Sequence, residues 1–176
     1  QQGTAGNEKV VTLPKRERER EEAKPAPAPR ESDVDRDLRM TKFAGGNAAV
    51  ANGLIDIAKS DSSFDPAEFM KGARAAYEMI VMAFAEGNRK LLGDLLSPEV
   101  LQGFAAAITD RENAKQTIEQ SFVGISGADL IEAEVRGGMA HVTVKFVSEL
   151  ISATRSAAGE VVMGDPKRIK EVTDIW

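Results

Sequence analysis

Between residues 64 and 84 the hydrophobic positions recur every three or four residues, which is the period of an α-helix with one buried face. Charged residues such as Lys71 and Glu78 fall off that face. The pattern therefore predicts a long amphipathic helix, around which the rest of the chain is organised. Its apolar stripe consists of Phe69, Ala73, Ala76, Tyr77, Ile80 and Phe84.

Both ends of this helix are marked in the sequence. Asp65 is a favourable N-cap residue, and Pro66 suits the first helical position. The rings of Phe64 and Phe69 stand on either side of this cap, where we expect them to form a hydrophobic staple. Gly87 supplies the left-handed conformation at which many helices end. The helix is therefore predicted to begin at Pro66 and to end before Gly87.

Three further stretches have helical spacing. Residues 45–61 predict a short amphipathic helix, lying either on a membrane or partner surface or against its own domain. Asn88 is suited to cap a helix of about two turns. Ser97 and Pro98 then start another helix that should end near Asn113. The apolar residues of the 45–61 helix are Val50, Leu54, Ile57 and Ala58.

From about Thr117 onward the hydrophobic positions alternate, which is the period of a β-strand. Gly137 and Gly138 form the turn of a predicted hairpin. In the strand that follows, Val142 and Phe146 share one face. The predicted strands are residues 117–125, 130–135, 139–154, 161–163 and 167–176.

Helices followed by an antiparallel sheet are typical of the α+β class. We predict that residues 64–176 form this domain, with helices packed on a curved sheet, and that residues 45–63 form a short amphipathic segment. Residues 1–44 join an alternating-charge run to a Pro-Ala spacer, which is the composition of a disordered linker. Because the final strand stops at Trp176, we expect the last strand of the sheet to be missing.

Composition excludes several classes of function. The net charge of −5 argues against a nucleic-acid partner attracted by a basic field. The chain has no cysteine and one histidine, His141, so it lacks the residues of a His/Cys metal site or a cysteine nucleophile. Glu132 and Glu134 alternate with apolar residues along a predicted strand. This pattern is typical of an exposed sheet face, so we do not interpret the two glutamates as paired catalytic carboxylates. The sequence contains no P-loop, GxGxxG, HExxH or GxSxG motif, so we assign no catalytic, cofactor-binding or metal-binding residue.

The long helix over residues 64–84 carries more apolar side chains than its buried stripe contains. Met79 and Met82 lie beyond the edges of this stripe, where neighbouring helices either cover them or leave them exposed as a contact patch. Methionine suits surfaces that accept varied apolar ligands. The candidate residues for an apolar pocket or contact surface are Phe69, Tyr77, Met79, Met82, Phe104, Phe146 and Trp176.

Three stretches occur in an order found in a known family. They are FDPAEFMKGARAAYEMIVMAFAEGNRKLLGDLLSPEV, FVGISGADLIEAEVRGG and EVTDIW. From about Gly53 to Trp176 the chain resembles the family of the mitochondrial inner-membrane import translocase subunit 44, most closely its alphaproteobacterial members, called TimA. The resemblance implies a cone of the nuclear-transport-factor-two-like kind, in which helices cover a curved antiparallel sheet.

The same resemblance implies a non-enzymatic adaptor at a membrane. The mitochondrial protein tethers a heat-shock-70-class chaperone to the import channel and binds cardiolipin-rich membrane, and its domain contains a large apolar pocket. By analogy we expect a bacterial inner-membrane location, with an N-terminal anchor absent from this chain. The expected partners are the membrane or a membrane protein complex, a chaperone of this class, and lipid, with no cofactor and no nucleic acid.

Two alternatives remain open. The first is a small-molecule enzyme on the same cone, with Tyr77 as a hydrogen-bond donor inside the pocket. An acidic group within hydrogen-bond reach of the Tyr77 hydroxyl would favour this enzyme, whereas an entirely apolar pocket would argue against it. The second is a structural scaffold that joins a larger membrane complex through its linker.

Overall fold

A computed structural model describes residues 30–176, which form five helices and three strands. In these residues all five helices precede the three strands, so the predicted α+β class is confirmed. In chain order the elements are α1 (Asp33–Phe43), α2 (Ala48–Ser60), α3 (Pro66–Glu86), α4 (Arg89–Leu95), α5 (Pro98–Asn113), β1 (Thr117–Arg136), β2 (Met139–Arg155) and β3 (Val161–Ile175).

The long helix has the ends that its sequence predicts. An Asp65 carboxylate oxygen accepts the backbone N–H of Glu68 at 2.9 Å, and Gly87 ends the helix with a φ of 74°. The rings of Phe64 and Phe69 lie 6.1 Å apart between centroids, which is the expected staple. Local sequence signals therefore determine where α3 starts and stops.

The structure differs from the predicted linker at residues 33–43, which form helix α1. Ser32 caps this helix by accepting the Asp35 N–H at 3.1 Å, and Asp33 pairs with Arg36 one turn later. Met40 is completely buried against α2. A single well-buried side chain and local charge pairs thus order a segment whose composition is that of a solvated linker. Residues 1–29 of the predicted linker lie outside the described residues.

The described strands form one open antiparallel sheet in the order β1-β2-β3. Strand β1 is continuous where the sequence predicts two strands, because bulges at positions such as Leu130/Glu132 absorb the irregularity without breaking the pairing. Strand β3 likewise runs through the predicted turn at Gly164, which has a φ of 77°. Bulges bend a sheet, but closure into a cone stays a prediction.

Within residues 30–176, three buried clusters hold the helices and the sheet together, and α3 contributes to two of these clusters. The first joins α1 and α2 to β1, the second joins α3 to the sheet, and the third joins α3 to α4 and α5. Helix α3 therefore links the sheet to helices α4 and α5. The central residues are Met40, Val50, Leu54 and Ala58 in the first cluster, Met70, Tyr77, Val144 and Phe146 in the second, and Ile80, Ala83, Leu92 and Ile108 in the third.

Asp65 performs two tasks, and we expect Asp65→Ala to lower the free energy of unfolding by about 1–2 kcal/mol. One of its carboxylate oxygens caps α3, and the other accepts a hydrogen bond from the Arg39 guanidinium of α1 at 2.7 Å. Asp65→Asn is the matched control, because asparagine keeps the cap and removes only the ion pair. Chemical denaturation should rank the wild type above Asp65→Asn and Asp65→Ala last; equal losses for the two variants would show that the cap contributes nothing.

Candidate functional site

A cleft of about 840 Å³ lies between the α1–α2 connection, the first three turns of α3 and the middle of β1. We call it the α1–α3 cleft. Most of its lining is apolar, and its charged residues sit on α3 and β1. The apolar side chains are those of Phe43, Ala44, Val50, Ala67, Met70, Ala128, Leu130 and Ile131; Gly45, Asn47, Lys71, Arg74 and Asp129 complete the lining.

The cleft exists because two helices meet through a glycine turn. Gly45 and Gly46 have φ values of 60° and 92°, which turn the chain sharply after α1. Asn47 then caps α2 by accepting the Val50 N–H at 3.1 Å. This sharp turn leaves Phe43 at the mouth of the cleft with 38% of its surface exposed. Alanines in the surrounding walls leave the volume open.

Two basic side chains give the cleft its electrostatic character. Lys71 and Arg74 are exposed on α3, and neither takes part in an ion pair within the described part of the chain. Asp129 on β1 is the one acidic residue in the lining. An apolar floor with a net positive rim can accept a molecule that joins an apolar segment to an anionic group.

A second cleft, of about 490 Å³, lies between the β1–β2 hairpin and the α2–α3 connection, and we call it the hairpin cleft. Phe64 and Phe69 line its helical side, while Val135 and Val142 line the sheet side. The predicted contact residue Phe69 is therefore in this cleft, with 37% of its surface exposed. It is separate from the α1–α3 cleft.

The two predicted methionines lie on the opposite side of α3. Met79 and Met82 line a cleft of about 400 Å³ between α3 and α4, bordered by Glu78 and Glu86. Met79 is exposed, whereas Met82 is half-buried and its sulfur lies 3.7 Å from the Gln120 side-chain nitrogen. We call this the α3–α4 cleft.

Three of the predicted pocket residues pack on one another instead of lining a cleft. The Tyr77 ring stacks on Phe146 at 4.4 Å and tilts against Trp176 at 4.7 Å. Tyr77 and Phe146 are buried, and none of these three side chains lines any of the three clefts described above. Phe104 packs separately against Phe84 at 5.2 Å. The seven predicted residues are thus divided among several places.

The Tyr77 hydroxyl joins the sheet through two hydrogen bonds. It donates to the Asp174 carboxylate at 2.8 Å and accepts from the fully buried Ser148 hydroxyl, also at 2.8 Å. Burial raises the pKa of Tyr77 to about 12; the Ser148 hydroxyl opposes this shift and the Asp174 carboxylate adds to it. Tyr77 therefore stays protonated at neutral pH and ties α3 to β2 and β3.

The remaining polar residues from the sequence argument lie on the surface. His141 is exposed, Glu132 accepts a hydrogen bond from Thr143 at 3.2 Å, and Glu134 pairs with Arg136 at 2.7 Å. Residues 30–176 contain no group of three His, Cys, Asp or Glu side chains placed to hold a metal ion. The sequence argument missed the α1–α3 cleft, although the Gly45–Gly46 pair after Phe43 was a signal for it.

The sequence profile of the Tim44-like domain matches residues 50–176, which is most of the chain. The chain belongs to the Tim44-like domain family. The Tim44-like family is associated with protein import at a membrane, where its members generally interact with translocase and chaperone partners. No curated protein matches the sequence.

Within the described part of this Tim44-like protein, no helix combines the length and the apolar character needed to cross a bilayer. The domain match begins at Val50, so α1 and the glycine turn precede it. One wall of the α1–α3 cleft therefore comes from residues outside the matched domain. The closer likeness to the alphaproteobacterial members stays a prediction.

Proposed function

We propose that this Tim44-like protein is a non-enzymatic, membrane-associated adaptor whose α1–α3 cleft binds a lipid or an apolar protein segment. The cleft carries this proposal. Its volume of about 840 Å³ is in the range of ligand sites, its floor is apolar, and Lys71 and Arg74 stand at its rim. An anionic phospholipid combines the apolar and acidic parts that such a site would contact.

The position of the basic residues supports lipid over a neutral ligand. The segment 45–61 carries one lysine, Lys59, and would attract an anionic surface weakly. Helix α3 adds two cations to the same cleft, and each basic residue near an anionic surface contributes about 1 kcal/mol of attraction. The exposed Phe43 ring beside them can enter the interfacial layer of a bilayer.

The proposed setting is the inner membrane of a bacterium. Family membership supports a translocase-type membrane complex and a heat-shock-70-class chaperone as partners. The adaptor would hold the chaperone near the membrane complex, and the cleft would supply the membrane contact. This division of labour requires binding and positioning alone, and no catalytic group.

A small-molecule enzyme is the second candidate, and one observation favours it. The Asp174 carboxylate lies 2.8 Å from the Tyr77 hydroxyl, which is the acidic neighbour that such an enzyme would need. However, Phe146 and Trp176 enclose the Tyr77 ring, and the clefts described above do not reach it. The enzyme requires that Tyr77→Phe abolish small-molecule binding, whereas the adaptor requires that this variant leave vesicle binding intact.

Flotation with lipid vesicles tests the role of the basic rim. We expect the wild type to float with phosphatidylcholine vesicles that contain phosphatidylglycerol, and Lys71→Glu/Arg74→Glu to weaken this binding at least about tenfold. Lys167→Glu/Lys170→Glu changes the net charge equally at exposed positions on β3 and is the matched control. Equal losses in both variants would indicate a general charge effect and would contradict a role for the cleft.

A second variant tests the apolar floor without changing any charge. Ala67→Trp places a large ring in the α1–α3 cleft, so we expect it to reduce vesicle binding several-fold. Ala106→Trp, on the exposed face of α5, is the control. If Ala67→Trp binds vesicles like the wild type, the lipid does not enter the cleft. A cleft that instead crosslinks to a partner protein in cells would identify a protein segment as the occupant.

A further inference from the structure

Helix α1 is attached to the rest of the domain by few contacts. Met40 is its one buried side chain, and it packs into the cluster that α1 forms with α2. Within residues 30–176, the one ion pair that joins α1 to another element is between Arg39 and Asp65, the N-cap of α3. A helix of 11 residues is marginal in water unless packing supports it. Two side chains therefore carry most of the docking of α1.

The remaining charges and apolar groups of α1 do not hold it against its neighbours. Arg36 pairs with Asp33 and Asp37, which lie on the same helix. Val34 and Leu38 have 76% and 65% of their surface exposed. Because little burial offsets the entropy lost on ordering the helix, α1 belongs to the elements that open locally at a lower free energy than the domain core.

The connection between α1 and α2 is built as a hinge. No atom of the described structure lies within 4 Å of the position that a side chain would take at Gly45 or Gly46, both of which have positive φ angles. Since glycine adopts either sign of φ without strain, rotation at these two residues redirects α1 freely. Helix α2 begins directly afterwards with the Asn47 cap, and Gly53 packs on the backbone of Ala133 in β1. Helix α1 can therefore move while α2 stays on the sheet.

The hinge forms one wall of the α1–α3 cleft. Phe43, Ala44 and Gly45 line this wall, whereas Met70 of α3 and Leu130 of β1 line the facing walls. Helix α3 and the sheet pack together in a cluster to which α1 does not contribute. A molecule in the cleft would contact the hinged wall and the fixed walls at once. It would therefore bind the docked form of α1 more tightly than the detached form.

We propose that α1 is a hinged wall, which detaches about Gly45 and Gly46 in a minor population of the empty protein and is held in its docked position by the occupant of the α1–α3 cleft. This inference rests on the proposed function for the identity of the occupant, an anionic phospholipid. The coupling is reciprocal: a change that weakens the docking of α1 weakens binding in the cleft, and occupancy of the cleft suppresses the detachment of α1.

Hydrogen exchange of the lipid-free protein tests the hinge. We expect the hydrogen-bonded amides of α1 to be protected at least about a hundredfold less than those of α3. Arg39→Ala, which breaks the pair with Asp65 and leaves the core intact, should lower the protection of α1 several-fold further and leave α3 unchanged. Leu38→Ala, on the exposed face of α1, is the control and should change neither helix. Equal protection of α1 and α3 in the wild type, or equal losses in both helices of Arg39→Ala, would overturn the proposal.

Flotation with phosphatidylcholine vesicles that contain phosphatidylglycerol tests the coupling. We expect Met40→Ala to bind several-fold more weakly than the wild type without any change of charge, because less of the protein then has α1 docked. Leu38→Ala is again the control and should bind like the wild type. The vesicles should also slow exchange in α1 of the wild type, but not in Lys71→Glu/Arg74→Glu.

The outcomes separate the hinge from the proposed function. A Met40→Ala variant that binds vesicles like the wild type would overturn the coupling. Equal losses in Met40→Ala and Leu38→Ala would overturn it as well, because they would indicate that α1 itself lies in the membrane. A wild type that binds no vesicles would contradict the proposed function and the lipid as occupant, whereas exchange in the lipid-free protein decides the hinge independently.

Discussion

Gly53→Ala is expected to lower the free energy of unfolding by about 3 kcal/mol. A methyl group at this position would overlap the backbone carbonyl oxygen of Ala133 in β1. Backbone atoms of a paired strand cannot rotate away, so α2 would have to move off the sheet. That movement would also open the cluster formed by Met40, Val50 and Leu54.

Gly103→Ala is the matched control, because it makes the same change inside a helix. No atom lies within 4 Å of the position that its side chain would take. We therefore expect this variant to be more stable than the wild type by about 0.5–1 kcal/mol, through helix propensity. Denaturant unfolding measures both variants. Two substitutions of similar effect would show that α2 does not approach β1 as closely as described.

Tyr77→Phe is expected to lower the free energy of unfolding by about 2 kcal/mol although every ring contact is kept. The loss comes from the hydroxyl, which bonds both Ser148 and Asp174. Ser148 is completely buried, so it would lose its partner in a place that water does not reach. Ser148→Ala in the Tyr77→Phe background should recover part of the loss, since it removes the unsatisfied group. If Ser148→Ala recovers no stability in this background, the loss in Tyr77→Phe does not come from the unsatisfied Ser148 hydroxyl.

The Tyr77 hydroxyl also predicts that the free energy of unfolding depends on pH in the alkaline range. The pKa of Tyr77 is about 12 in the folded protein, compared with 10.0 for a free tyrosine. The folded state therefore binds the proton more tightly, and the free energy of unfolding falls as pH rises from about 10 to about 12. Tyr77 is the one tyrosine of the chain, so the near-ultraviolet absorbance of tyrosinate reports on it directly. Titration of the folded protein near pH 10 would contradict the buried hydrogen-bonded arrangement.

The features predicted correctly from the sequence are those determined by neighbouring residues. Asp65, Pro66 and Gly87 define the ends of α3 through local hydrogen bonds and φ angles, and the switch from helical to alternating spacing marks the start of the sheet. Helix α1 was not predicted, because its stability depends on Met40 contacting α2, a contact between separate elements. The continuity of β1 depends in the same way on its pairing with β2, which tolerates bulges.

The site was less predictable than the fold for a related reason. Periodicity places Tyr77 on one face of α3 and the two methionines, Met79 and Met82, on the opposite side, but it does not say which neighbour covers each face. The sheet covers Tyr77 completely, whereas Met79 stays exposed beside α4. The α1–α3 cleft depends on helix α1, which lies in a segment interpreted as linker, so its wall at Phe43 could not be assigned in advance.

The most direct measurement is photocrosslinking of the wild-type protein to vesicles that contain a phosphatidylglycerol with a photoreactive group in its acyl chain. If the α1–α3 cleft holds the lipid, labelled peptides will come from residues 43–50, 67–74 and 128–131, and Ala67→Trp will lose the label. Labelling confined to other surfaces, such as the hairpin cleft, or equal labelling of Ala67→Trp, would contradict the account.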